Sequence, residues 1–232
     1  MSFYLYLNLA IIAFPLALSF ERRLRFYSKL KPLLAALLLV GCIFVGWDVF
    51  ATYRWHWSFN PSYVSETRLL GLPLEEVLFF ITVPYSCLFV FESIRHFFGD
   101  AKLLSPNRRL LAGAGVLVAV LSFAFLPREY TFLAVLSVGL TLLLAPIVNA
   151  DIFCSRAYWT YITATLALFL LFNLILTSLP VVEYSSSAIS NVRLATIPIE
   201  DFLFNFSMLT AYLTIYLWAL GFKSSSRQSS LS

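Results

Sequence analysis

The chain has 232 residues, of which 60% are hydrophobic and only 12% charged, with a formal net charge of +4. About a quarter of an ordinary soluble domain is charged, so a single water-facing globule is excluded; it has no core large enough to hide this much apolar surface. The small positive excess sits in short loops, which gives no broad basic face and no nucleic-acid partner.

Apolar runs near twenty residues long recur along the chain, and each is long enough to cross roughly 30 Å of hydrocarbon. Helices are predicted at 3–20, 32–51, 73–97, 109–126, 130–148, 158–179 and 198–222. The fold class is therefore all-α, an integral membrane protein with seven transmembrane helices. The first run has no basic region before it and no small-residue cleavage site after it, so it reads as a spanning helix and not a removable signal. Pro32, Pro73 and Pro198 sit where a first helical turn tolerates a missing N–H. In the fourth helix, GAGVLVA (113–119) reads as close helix packing, because its GxG follows no strand. The serine-rich tail, 223–232, is predicted to be disordered.

Lys and Arg set the orientation. The 21–31 loop carries Arg22, Arg23, Arg25, Lys29 and Lys31; the 95–109 loop carries Arg95, Lys102, Arg108 and Arg109. Arg156, Lys223 and Arg227 fall on the same side, whereas only Arg54, Arg68, Arg128 and Arg193 fall on the other. The richer side is expected to be cytoplasmic, which puts the N-terminus outside and the C-terminus inside.

A shift of 125 positions lays RLLGLPLEEVLFF (68–80) on RLATIPIEDFLFN (193–205) without a gap. Arg68 meets Arg193, Pro73 meets Pro198, Glu75 meets Glu200, Glu76 meets Asp201, and Asp48 meets Asn173. Helices one to three therefore repeat as five to seven. The expected organisation is a first three-helix repeat over 1–100, a connecting helix within 101–128 and a second repeat over 129–222. Four helices separate equivalent members, so the repeat is parallel and not of the inverted kind common in transporters. Both acidic pairs then enter the membrane from the same, non-cytoplasmic side.

Carboxylates inside membrane segments are costly and usually face a bundle interior, a partner or a cavity. Neighbours on a helix lie about 100° apart, so one member of each pair can face the bundle centre. The catalytic candidates are Glu75 or Glu76, with Glu200 or Asp201. Two inward carboxyl groups cannot both ionise cheaply in a dry site, which favours one that holds a proton. Asp48 is either a third acid or a helix-end hydrogen-bonding group. Arg68 and Arg193 either pair with the remaining carboxylates or snorkel at the interface. Trp47, Trp55 and Trp57 with Phe59 cluster near the outer end of the second helix, Phe79, Phe80 and Phe204 follow the acids at one-turn spacing, and these rings offer either packing or cation-stabilising faces. Asn173 and Asn205 need hydrogen-bond partners if buried.

Other chemistries lack their residues. No Walker loop, HExxH or GxSxG is present, and His56 and His96 are isolated, so no metal site is expected. Cys42, Cys87 and Cys154 have no ligand or CxxC spacing. The four lysines lie in loops or the tail, which leaves no lysine within the bundle to carry a retinal Schiff base.

The paired motifs PLEEVLFF (73–80) and IPIEDFLFNF (197–206), with WDVFATYRWHWSF (47–59) and FNLILTSL (172–179), resemble the membrane-type lycopene cyclases of bacteria, archaea and fungi. In some bacteria that family has two three-helix subunits, and this chain looks like the fused form. The second copy departs by Asp201 for Glu and Asn205 for Phe, so the halves need not be equally active. The resemblance implies an isomerase of carotenoid biosynthesis, acting on lycopene or a related linear carotenoid within the lipid bilayer of the cell membrane. Its acid and base would come from the four paired carboxylates. Its substrate would lie against Asp48, Arg68, Arg193, Asn173, Asn205, Phe79, Phe80, Phe204 and Trp47. No cofactor is expected, since neither a dinucleotide nor a flavin fingerprint is present; a homo-oligomer stays open. The competing readings are a proton-coupled transporter using the same carboxylates and a cyclase of longer, prenylated carotenoids.

Overall fold

The computed structural model describes residues 2–103 and 107–221; the tail expected to be disordered lies outside the described residues. Seven α-helices follow in order among the described residues: α1 (Phe3–Leu18), α2 (Leu30–Tyr53), α3 (Leu74–Phe98), α4 (Arg108–Ser122), α5 (Glu129–Val148), α6 (Arg156–Ser178) and α7 (Ile199–Ala219). All helices but α1 are long and apolar enough to cross a membrane, α4 with its 3-10 extension to Phe125. α1 has 16 residues and ends two residues before the predicted boundary; at 1.5 Å per residue it rises only about 24 Å. The chain is an all-helical membrane protein, as its composition requires.

Helix order and packing show the parallel repeat. Within each repeat the first helix packs on the third, α1 on α3 and α5 on α7. Between repeats, α2 packs on α7 and α6 on α3, so each second helix lies against the other copy's third. α4, the connector, packs chiefly on α5. There Gly115 meets Gly139: a Cβ at Gly139 would stand 2.7 Å from the Ala119 backbone nitrogen. Small residues let helix backbones approach closely in lipid, where packing rather than water exclusion drives association.

Three short ribbons, which no alternation in the sequence marks, organise the end where α3 and α7 begin. β1 (Trp57–Phe59) pairs antiparallel with β4 (Val182–Tyr184). Ser58 faces Glu183, its own equivalent in the other copy, and Trp57↔Tyr184 mirrors Phe59↔Val182. A pseudo-two-fold axis therefore runs through the Ser58–Glu183 pair. Two hairpins, β2–β3 (Arg68–Leu69 with Leu72–Pro73) and β5–β6 (Arg193–Leu194 with Ile197–Pro198), lead into α3 and α7. Leu70 and Gly71 both have positive φ, as a two-residue primed turn requires. Pro73 and Pro198 close these hairpins as the residues just before the helices. At the opposite end, buried Glu92 of α3 accepts from Tyr216 of α7 at 2.8 Å and from Lys29 ahead of α2.

Candidate active site

Each acidic pair is split by helix geometry. Glu76 and Asp201 turn into a chamber at the start of α3 and α7, and Glu75 and Glu200 turn away from it. The outward pair anchors loops. Glu75 accepts from the Ser65 N–H at 2.9 Å, from the Ser65 hydroxyl at 3.0 Å and from Ser2. Glu200 accepts from the Ser190 N–H at 2.6 Å and from Thr131 at 2.5 Å. Ser190 is Ser65 shifted by 125 positions, so the clamp itself is duplicated. Hydrogen bonds to a charged group are worth about 1.5–3 kcal/mol each, which fits both residues to holding structure.

The inward pair has a different shell. The Tyr4 hydroxyl donates to Glu76 Oε2 at 2.7 Å, and the Tyr130 hydroxyl donates to Asp201 Oδ1 at 2.8 Å. Asp201 Oδ2 receives two further bonds, from Tyr184 at 2.7 Å and from Asn173 Nδ2 at 2.9 Å. Burial pushes the Tyr184 phenol well above its usual range, and the Asp201 carboxylate adds to this, so Tyr184 stays a donor. Asp48 lines the same chamber; its Oδ1 accepts from Trp57 Nε1 at 2.8 Å, whereas Oδ2 has no hydrogen-bond partner among the described residues.

The chamber has a volume of about 470 Å³, inside the ordinary range for small-molecule sites. Its wall is mostly apolar. Phe79 and Phe204, equivalent residues one turn beyond the acids, both line it, as do Phe80 and Asn205.

Of the residues singled out in the sequence, the structure thus brings together Asp48, Glu76, Phe79, Phe80, Asn173, Asp201, Phe204 and Asn205. Five lie elsewhere. Arg68 and Arg193 do not pair with carboxylates: each hairpin folds its guanidinium back onto a backbone carbonyl, of Ser65 at 2.6 Å and Thr196 at 2.7 Å. Trp47 packs behind the wall, with its ring 5.6 Å from Phe204. Glu75 and Glu200 are the loop clamps.

Tyr4, Tyr130 and Tyr184 escape the sequence comparison. Tyr4 and Tyr130 are 126 apart, not 125, so a gapless comparison anchored on the acidic motifs does not pair them. One residue of slack between the first and second helices of a repeat aligns them. Tyr184 is hidden differently, since its counterpart is Phe59.

Fold and chamber together define an all-helical membrane protein with carboxyl groups at one end of an apolar cavity. The lycopene cyclase family model matches residues 1–94 and 127–219; the chain belongs to the lycopene cyclase family. The matched stretches begin 126 positions apart and end 125 apart, and they pass over the whole of the connecting helix α4. No curated protein and no solved structure matches the chain. Membership makes the chain a carotenoid cyclase, with a carotenoid as substrate and the membrane as its setting.

Proposed function

We propose that this cyclase closes the linear ends of lycopene into six-membered β-ionone rings, with Glu76 and Asp48 as the acid side and Asp201 as the base. The observation that carries this reading is a difference between equivalent pairs. In the second copy Asn173 donates an N–H to Asp201. The first copy has Asp48 and Glu76 at those two positions. Neither ionised carboxylate can donate as Asn173 does, Asp48 Oδ2 has no hydrogen-bond partner among the described residues, and two carboxyl groups facing one apolar chamber favour one that carries a proton. Asp201, which receives three donors, is held as an acceptor; an ionised carboxylate only accepts.

The reaction then needs one proton in and one out. The acid proton adds to the less substituted carbon of the terminal double bond, whose π pair becomes the new C–H bond and leaves a tertiary cation. The π pair of the internal double bond forms the ring C–C bond and moves the charge onto a ring carbon. Asp201 removes the adjacent ring proton, and that C–H pair becomes the ring double bond. The product is an isomer, so the step balances without a redox cofactor. Phe79 and Phe204 offer ring faces to the intermediate cation. With the lysine- and arginine-rich loops in the cytoplasm, the acids lie toward the outer face of the cell membrane and the N-terminus lies outside.

Expression in cells that accumulate lycopene tests the reading. The expected result is a ring-bearing pigment of unchanged molecular mass. Unchanged lycopene, together with proton flux in proteoliposomes, would instead establish the transporter.

A further inference from the structure

Below the acids the chamber loses its symmetry. α3 lines it from Glu76 to Val90, fourteen residue steps or about 21 Å of helix. α7 lines it only from Asp201 to Met208, the equivalent of Val83. Past that level the cavity continues as a groove between α1 and α6 over the face of α3. Its rim residues Phe14 and Leu168 are 69% and 40% exposed, so in a bilayer the groove opens to the acyl chains.

The equivalent groove over α7, between α5 and α2, is filled. Cys87 lines the open groove, and its counterpart is Tyr212. That ring is fully buried, lies 6.4 Å from Phe44 and donates through its hydroxyl to the Phe80 carbonyl at 2.9 Å. Phe44 in turn stacks on Trp47 at 6.4 Å. The counterparts of Phe44 and Trp47 are Phe169 and Phe172, which line the open side.

We infer that the chamber has a single mouth: the unreacted remainder of a linear polyene lies in the α1–α3–α6 groove and reaches the lipid past Phe14 and Leu168, while Tyr212, Phe44 and Trp47 close the other side. This rests on the cyclase reading and extends it. Extended, a forty-carbon polyene is about as long as the hydrocarbon is thick, roughly 30 Å, so only one end reaches the acids at a time. Both halves of the protein therefore serve the same ring. The second ring requires the one-ringed product to leave, turn round and enter again.

Purified enzyme in liposomes tests this. A brief supply of isotopically labelled lycopene is chased with a large excess of unlabelled lycopene after the first turnover. Label is expected to stop in the one-ringed product; label passing undiminished into two-ringed product would overturn the inference. Cys87→Tyr, which copies the closed side, is expected to abolish cyclisation. Leu168→Trp, at the lipid-exposed rim and away from the core, is expected to raise the half-saturating lycopene content several-fold with little change in the maximal rate. Wild-type behaviour of both variants would contradict the groove. Absence of cyclisation by the unaltered enzyme would instead sink the cyclase reading, so the two failures are distinguishable.

Discussion

Glu76→Gln and Asp201→Asn are expected to lower ring formation by about 100- to 10,000-fold, the range a positioned general acid or base contributes. Both changes keep side-chain size. An amide oxygen at position 76 can still accept from Tyr4; at position 201 a single amide oxygen can keep Tyr184 and Asn173, while the new NH2 group faces the Tyr130 hydroxyl, which can turn to accept. What each loses is the ability to give or take a proton. Glu75→Gln and Glu200→Gln form the contrast. Those side chains hold the Ser65 and Ser190 loops outside the chamber. Their substitution is expected to lower the unfolding temperature of the detergent-solubilised protein while the folded fraction keeps turnover within a few-fold of the parent. Pigment yield per unit of folded protein, measured for all four variants, checks the division. Equal losses across the four would show that the inward and outward carboxylates are not doing different jobs.

Asp48→Asn is the second large effect, and its direction separates two roles. If Asp48 only accepted from Trp57, an amide oxygen would serve and activity would survive. If Asp48 and Glu76 share a proton, the change turns the first copy's carboxyl pair into the amide–carboxylate pair of the second. The new amide then offers Glu76 an N–H, as Asn173 does for Asp201, and Glu76 no longer needs its proton to satisfy the pair. Cyclisation is expected to fall by about 100-fold or more, with the protein still inserted and folded. The reciprocal Asn173→Asp leaves the acid side intact and is expected to cost less. Initial rates of lycopene loss in membranes from each variant decide between the roles.

The seven-helix organisation and the repeat were legible because lipid imposes long apolar runs, and because a duplicated Arg–Pro–acid–acid spacing survives in both copies. Helix geometry also shows that one acid per pair faces inward. Which one is not legible: Glu75 and Glu76 differ by one step of rotation, and packing against Tyr4 on one side and the Ser65 loop on the other decides it. The arginines misled for a related reason. Their place beside the acids in sequence suggests pairing, but a two-residue hairpin folds Arg68 back to Ser65 before the chain enters α3. Those hairpins leave no trace of alternation, since each strand has only two residues. The asymmetry of the grooves was present in the aligned sequences as Cys87 against Tyr212, and became meaningful only once both were seen to face equivalent spaces.

Turnover in heavy water tests the central claim most directly. Enzyme equilibrated in D₂O and supplied with ordinary lycopene should give rings that each carry one deuterium, raising product mass by one unit per ring closed. Ring product without deuterium, or product lighter than lycopene by two mass units, would contradict proton delivery from the chamber carboxyls.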